Sequence, residues 1–322
     1  MKYFVLGGAG FIGSEYINRI VSLNPDDEII AYDNLSSTHS WKYLDWAVKN
    51  GKVRCVLGDA KDISFMMSYM KDVDLVAHFA SNPDISKAVS DPMIDFRQGT
   101  YLTQNVVEAM RLMGIKKIIY ASGSGVYGDA KETYLKEDYS PMIPVSTYGA
   151  SKLAGEVLIS SYCYMFGLLG RVYRFANVVG GNSTHGVTLS FVNKLIANPK
   201  KLEILGNGKQ SKSYIYVEDI LSGILKTAFV VDTNYDVFNV ATQDYIEVKE
   251  IADIVVEEMG LKNVEYIYTS SETKGWVGDV GISRFNTDKI RSYGWNNKYT
   301  TREAIILSTR QILNKICLER SL

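Results

Sequence analysis

The chain has 322 residues, of which 46% are hydrophobic and 22% charged, and its formal net charge is -1. This is an ordinary globular composition, long enough for about two domains and a sizeable core. The near-neutral charge with no dense Lys/Arg run argues against nucleic acid as a partner. No apolar run reaches the ~18 residues of a membrane helix.

Lys2–Leu6 is a short apolar run ending in Gly7-Gly8-Ala9-Gly10, which predicts a buried strand running into a glycine loop. Phe11–Leu23 carries apolar residues at helical spacing and stops before Pro25. Glu28–Tyr32 reads as a second strand, Lys52–Leu57 as a third and Leu75–Phe79 as a fourth. A short helix is expected over Ile63–Met70 after Asp62. Gly99–Met113 reads as a helix closed by Gly114, Lys117–Ala121 as a strand, Ser146–Phe166 as a long helix and Leu169–Phe175 as a strand. Strands apolar on both faces, alternating with helices, predict an α/β fold with a doubly wound parallel sheet.

Beyond about Val179 the rhythm changes. Asn182–Gly186 reads as loop, Val187–Ala197, Val217–Val230 and Val248–Met259 as helices, and Leu202–Ile204 as a very short strand. Val237–Val240 reads as a strand returning to the main sheet. Val264–Tyr268, Asp288–Tyr293 and Thr301–Ile316 complete a second, smaller α/β substrate lobe. The expected division is a Rossmann domain over 1–178 plus about 217–260, and a discontinuous lobe over about 179–216 and 261–322.

Three cysteines, Cys55, Cys163 and Cys317, with no CxxC spacing argue against a disulfide framework or a metal site. They read as reduced, mostly buried thiols. The chain enters a strand at once after Met1, so no signal peptide is expected and a cytoplasmic location is inferred. The sequon at Asn182 is then coincidental.

Glycines at 7, 10 and 13 follow a strand and open a helix. The three glycines serve the tight turn, the approach of a pyrophosphate and close helix–strand packing. The helix N-terminus meets the phosphate charge with free N–H groups. Asp33, at the end of the second strand, stands where a carboxylate would accept ribose hydroxyls. No Arg lies between Asp33 and Thr38 to hold a 2′-phosphate, so the expected cofactor is NAD. The expected cofactor contacts are Gly7, Gly10, Phe11, Ile12, Gly13, Asp33, Asn34, Ser36, Asp59, Ala60, Phe79, Ala80 and Ser122, with Tyr148 and Lys152 at the reactive end. Asp59 would lie near the adenine. His78 is read as structural.

Tyr148 and Lys152 stand four residues apart and share a helix face. A Lys ammonium beside a Tyr hydroxyl favours the tyrosinate, so Tyr148 is expected to have a lowered pKa. Such a Tyr can take a proton from a substrate hydroxyl as hydride leaves the carbon, or return one. Lys152 can also bind the nicotinamide ribose and orient the ring.

With GGAGFIG at 7–13, YDN at 32–34, GDAKD at 58–62, HFAS at 78–81, ASGSGVYGD at 121–129, YGASK at 148–152, RFANVVG at 174–180, YIYVEDI at 214–220 and GWVGDV at 275–280, nearly the whole chain resembles the extended short-chain dehydrogenase/reductase family. Within it the likeness is to the nucleotide-sugar epimerases and dehydratases. The resemblance implies a tightly held NAD regenerated within each turnover, and a nucleoside-diphosphate sugar as partner in the cleft between lobes. It implies Tyr148 as acid/base with Lys152 as its partner, and Asn177 at the sugar–diphosphate end. It also implies a homodimer through a four-helix bundle.

Two departures bear on the reaction. Where the family places a Ser or Thr three residues before the Val of VYG, this chain has Gly123, flanked by Ser122 and Ser124. The 4,6-dehydratases carry Thr-Asp-Glu there and the decarboxylating relatives a Glu, but Gly123-Ser124-Gly125 holds no carboxylate. The expectation is therefore 4-epimerisation of a UDP-sugar through a transient 4-keto intermediate, with Ser124 as the helper hydroxyl. Lys212 stands where related epimerases carry a diphosphate-binding Arg, and Trp276 replaces a second Arg; a Lys cannot make the planar bidentate contact. The alternatives are a sugar ketoreductase or dehydrogenase, a 4,6-dehydratase, and a non-catalytic NAD-binding regulator.

Overall fold

The computed structural model describes residues 1–130, 134–230, 232–276 and 278–320. Its first strands are β1 (Lys2–Leu6), β2 (Glu28–Asp33), β3 (Lys52–Leu57), β4 (Leu75–His78) and β5 (Lys117–Gly123). They form a seven-stranded sheet with Leu169–Phe175 and Tyr235–Val240, in the order Tyr235–Val240, Leu169–Phe175, β5, β4, β1, β2, β3. The Val237–Val240 run does join the main sheet. Neighbours from β3 to β5 pair in parallel. Strand order reverses at β1, where a doubly wound sheet opens its ligand crevice.

The register aligns one edge of this sheet. Leu6 pairs with Tyr32 and with His78, and His78 pairs with Tyr120. The residues that follow, Gly7, Asp33, Phe79 and Ala121, therefore stand side by side, with Asp33 and Ala121 still in their strands. This places four segments far apart in sequence at one end of the strands.

The helix α1 (Phe11–Leu23) buries Tyr16, Ile17, Ile20 and Val21, the stripe a helix presents to a sheet. Gly13 lets it sit close, because a Cβ there would fall 2.1 Å from the Gly7 carbonyl oxygen. The Tyr101–Met113 helix ends on Gly114 at φ +72°, with the Ile115 N–H closing onto the Met110 carbonyl at 2.9 Å. That is a left-handed cap, which glycine adopts without steric cost.

The described residues divide into two compact units. One comprises Met1–Val126, Thr147–Arg174 and Ile224–Phe238; the other comprises Tyr127–Ser146, Phe175–Gly223 and Asn239–Leu322. The second holds four short strand pairs, among them Asn177–Val179 with Tyr214–Tyr216 and Ser211–Lys212 with Ile246–Glu247. Its buried Trp295 donates to the Asp219 carbonyl at 3.0 Å.

Several expectations are corrected. The helix over Ile63–Met70 stops at Met67, and the Ser68 N–H already turns back on Phe65 and Ser64. The helix expected from Gly99 is preceded by a π-turn, Phe96–Thr100, and becomes α-helical only at Tyr101. A helix over Asp45–Asn50 stands where none was expected. Cys163 is buried, but Cys55 is half-buried and Cys317 exposed; all are free. No helix among the described residues is long and apolar enough to cross a membrane.

Candidate active site

The glycine loop closes on itself and on its neighbours. Gly7 and Gly8 donate to the Tyr32 carbonyl, and Gly10 donates to the Gly7 carbonyl at 3.1 Å. Gly7 stands at φ +80°, and a Cβ on it would lie 2.6 Å from the Ala80 nitrogen. Ala80 and Phe79 are fixed there because both donate to the Leu6 carbonyl. No side chain caps α1 at Gly10, so the first-turn N–H groups of Phe11, Ile12 and Gly13 remain available to an anion.

The Asp33 carboxylate accepts from the Leu35 N–H at 2.8 Å and the Ala9 N–H at 3.1 Å. Burial pushes its pKa up, while those backbone donors pull against the rise. Asn34 donates to Asp59 at 3.3 Å, and Ser36 is an exposed residue whose N–H caps Asn34. Burial acts to raise the Asp59 carboxyl, but the Lys61 backbone and ammonium outweigh it and bring it below its ordinary value. Asp62, not Asp59, caps the following helix, accepting from Phe65 at 3.0 Å. Ala60 is buried, with its carbonyl held by Asn105.

Tyr148 and Lys152 share a face of the Thr147–Phe166 helix, with the Lys152 nitrogen 5.7 Å from the Tyr148 ring centre. Lys152 is almost fully buried and donates to the Ala121 carbonyl at 2.7 Å. Burial pushes its pKa down to about 8, against an upward pull from Glu156 and Asp95. The Tyr148 phenol is pushed up to about 12 by burial and then by the Asp95 charge, while a hydrogen bond with Ser81 acts the other way. This reverses the expected lowering. The Lys152 ammonium is engaged with the β5 carbonyl, and what dominates at Tyr148 is loss of water.

Behind this pair lies a buried ion pair. Arg174 grips Glu156, with Nη2 at 2.6 Å from Oε2 and Nε at 3.0 Å from Oε1. The Ser122 hydroxyl donates to the same Oε1 at 2.5 Å. Ser122 is thus committed to Glu156, and Ser124 is the half-buried hydroxyl of the segment. His78 is fully buried and bonded to Thr103 at 3.1 Å; burial drives its pKa down to about 3, which keeps the ring neutral.

Of the predicted substrate residues, Ser124 falls in the first unit, and Asn177 and Lys212 in the second. Lys212 pairs with Asp279 at 2.7 Å, and Asp279 also accepts from the Gly275 N–H. Arg284 lies 3.8 Å from the Tyr245 ring centre and donates to the Ser211 carbonyl at 3.1 Å. Both cations are therefore already satisfied within the lobe. The Asn177 side chain donates to the Ser213 carbonyl at 3.3 Å. Val277 of the GWVGDV motif lies outside the described residues. Asp95, Asn82 and Thr147 escaped the sequence reading. No motif flags them; Thr147 adjoins Tyr148 in the chain, and the fold brings Asp95 and Asn82 to the same turn.

Residues 3–241 match the model of the NAD dependent epimerase/dehydratase family. The chain belongs to that family. A crystal structure of a UDP-galactose 4-epimerase is 34% identical, covers 98% of this chain and 100% of its own, and superimposes with a TM-score of 0.87. Among curated relatives, a dTDP-D-glucose 4,6-dehydratase of Mus musculus is 27% identical over 94% of this chain and 86% of its own length. A UDP-glucose 4-epimerase of Mycolicibacterium smegmatis is 26% identical over 98% of this chain and 99% of its own. The protein is therefore an NAD-dependent enzyme of the epimerase/dehydratase family.

The residues present fit that cofactor. The uncapped α1 N-terminus faces a loop whose Gly10 would bring a Cβ against nothing but the Gly7 carbonyl oxygen, at 3.2 Å, and Asp33 presents a carboxylate beside it. Gly13→Ala tests the loop. Its methyl would enter the Gly7 carbonyl, so we expect a loss of about 1–3 kcal/mol in stability and a protein purified without NAD. A normal ratio of cofactor to protein, read by absorbance after acid release, would remove Gly13 from the site.

Proposed function

We propose that the protein is a nucleotide-sugar 4-epimerase acting on a UDP-sugar through a transient 4-keto sugar. The observation that carries this reading is the segment Gly123-Ser124-Gly125, which supplies no carboxylate beside an intact Tyr148 and Lys152. Elimination of water needs an acid and a base besides the tyrosine. Position 125 also has little room for a side chain, since a Cβ there would lie 3.3 Å from the Gly149 Cα. A Glu at that point would press on the turn that carries Tyr148. Inverting the 4-carbon asks less: one proton taken, one returned, and space for the keto sugar to turn over.

NAD, when bound, accepts the hydride from the sugar carbon and gives it back. In this reading Tyr148, acting as the tyrosinate, takes the 4-hydroxyl proton and, as the phenol so formed, later returns it to the keto oxygen. Lys152, buried and anchored on Ala121, holds positive charge near the phenol. Ser124 steadies the reacting oxygen. Asn177 and Lys212 hold the sugar–diphosphate end. Lys212 reaches the diphosphate as a point charge, sharing itself with Asp279.

The test is to incubate the pure protein with UDP-glucose, UDP-GlcNAc, UDP-glucuronate and their 4-epimers, and to follow interconversion by NMR. Turnover of none of them by NAD-loaded protein would sink the proposal. A 4-keto-6-deoxy product would assign dehydration instead. Ser124→Ala is expected to lower kcat about fivefold, the worth of one ordinary hydrogen bond of about 1 kcal/mol. An unchanged rate would take the hydroxyl role away from Ser124.

We further propose a cytoplasmic homodimer built on the Tyr101–Met113 and Thr147–Phe166 helices. Val157, Tyr164 and Met165 on the second helix and Tyr101 on the first are large apolar side chains left exposed. Val157, Tyr164 and Met165 recur at helical spacing and make one stripe, the pattern of a helix awaiting a partner. Light scattering of the purified protein reads the mass directly, and a monomer at micromolar concentration would rule the dimer out.

A further inference from the structure

Asp95 is a carboxylate with only 2% of its surface exposed, and it forms no ion pair within 4 Å among the described residues. It stands at the start of the Phe96–Thr100 π-turn but does not cap it. Its two oxygens point elsewhere. Oδ1 accepts from the Asn82 amide at 3.0 Å, and Oδ2 accepts from the Thr147 hydroxyl at 2.7 Å. Its backbone carbonyl accepts from the Ser151 hydroxyl at 2.8 Å. Thr147 and Ser151 are four apart, on the first turn and the next of one helix, and Tyr148 lies between them. Asn82 follows directly on Ser81, the hydrogen-bond partner of Tyr148.

We propose that Asp95 is a positioning residue for Tyr148: it ties down the turn that carries the acid/base and fixes one negative charge within electrostatic reach of its hydroxyl. A buried charge is costly unless something compensates it. Neutral donors solvate this one, and its charge favours the ammonium form of Lys152. The arrangement divides the work. Lys152 supplies the buried positive charge of the pocket, while the Asp95 charge opposes the tyrosinate, so the phenol keeps its proton until positive charge comes beside it. A tyrosine held in this balance can take a proton in one half of the reaction and return it in the other.

The other groups around Tyr148 do not change sign over the working range. His78 on β4 is neutral. The Tyr120 phenol on β5 is pushed far above its ordinary value by burial. Glu156, on the helix of Tyr148, is locked to Arg174 from the Leu169–Phe175 strand. Asp95 is left as the charge that acts on the phenol.

Two substitutions separate charge from scaffold. Asp95→Asn keeps the shape, since an amide can accept from Asn82 and donate to Thr147, but it removes the negative charge. Thr147→Val keeps the charge but strips a donor from it, so the carboxylate acts on Tyr148 more strongly. Tyr148 is titrated in the NAD-loaded protein by NMR of carbon-13-labelled tyrosine, its signal assigned by its loss in Tyr148→Phe. Asp95→Asn is expected to lower the Tyr148 midpoint by about one pH unit, and Thr147→Val to raise it. A residue that only braced the fold would leave the midpoint unmoved. An unshifted midpoint in Asp95→Asn, or a shift of both variants in one direction, overturns the proposal. Should Asp95→Asn not fold, an unchanged or lowered midpoint in Thr147→Val overturns it alone. The inference rests on Tyr148 as the acid/base, but the titration uses no sugar nucleotide, so a failure of the epimerase reading would show separately in the turnover assays.

Discussion

Tyr148→Phe is expected to lower kcat by about 100- to 10,000-fold, the range of a positioned general acid–base group, while the purified protein keeps its NAD. The substitution removes one oxygen and leaves the ring, whose stacking distance to Lys152 and place in the first helical turn do not depend on the hydroxyl. Cofactor retention is expected because, on the proposed site, the loop at Gly7–Gly13 and Asp33 would hold the other end of the dinucleotide. The loss should fall on kcat with little change in KM, since the hydroxyl acts on the proton in flight rather than on the resting sugar. The measurement is a steady-state rate on whichever UDP-sugar proves to be turned over, with bound NAD quantified in the same preparation. Near-normal kcat would remove Tyr148 from the chemistry. A loss of NAD with the activity would make the tyrosine a cofactor ligand first.

The sequence carried the Rossmann half well because its signals are local. A strand apolar on both faces, a loop with glycine where φ must be positive, and a helix with a buried stripe each declare themselves within a dozen residues. Gly7 and Gly13 could be assigned their tasks before any coordinate, and the structure supplies the atoms that would clash. Tyr148 and Lys152 were equally legible as a spacing on one helix. Their electrostatics were not. The sign at Tyr148 depends on how much water is lost around it and on Asp95, which is far away in the chain. A single Asp before Phe-Arg-Gln reads as surface, and only tertiary packing turns it inward. The second lobe was harder for the same reason. Its strands are two to four residues long, too short for any period, and Ser211–Lys212 becomes a strand only by pairing with Ile246–Glu247. The pairing of Lys212 with Asp279 shows the same limit, since residue type gave the cation but not its partner.

Arg174→Met is the change expected to cost the most stability. Arg174 and Glu156 are each about 2% exposed, and the guanidinium supplies the carboxylate with two of its donors. Removing the cation leaves a buried carboxylate with the Ser122 hydroxyl as its remaining close donor among the bonds described above. Breaking a buried pair from one side costs about 3–5 kcal/mol, because the desolvation of the surviving charge is no longer offset. For a chain of this size that is a fall of roughly 10 °C in the unfolding transition. Replacing both partners, Glu156→Met with Arg174→Met, removes the stranded charge and should recover most of the loss, since apolar groups of similar volume tolerate the same burial. The double variant then isolates what the pair does for the site. Ser122 would lose the acceptor that fixes it, and Lys152 would lose one of the two carboxylates that sustain its charge against burial. A double variant as stable as wild type but slower in turnover would place the pair in the service of Lys152. One equal to wild type in both would make it a folding element alone, and a single variant with an unshifted transition would show that the carboxylate is not stranded at all.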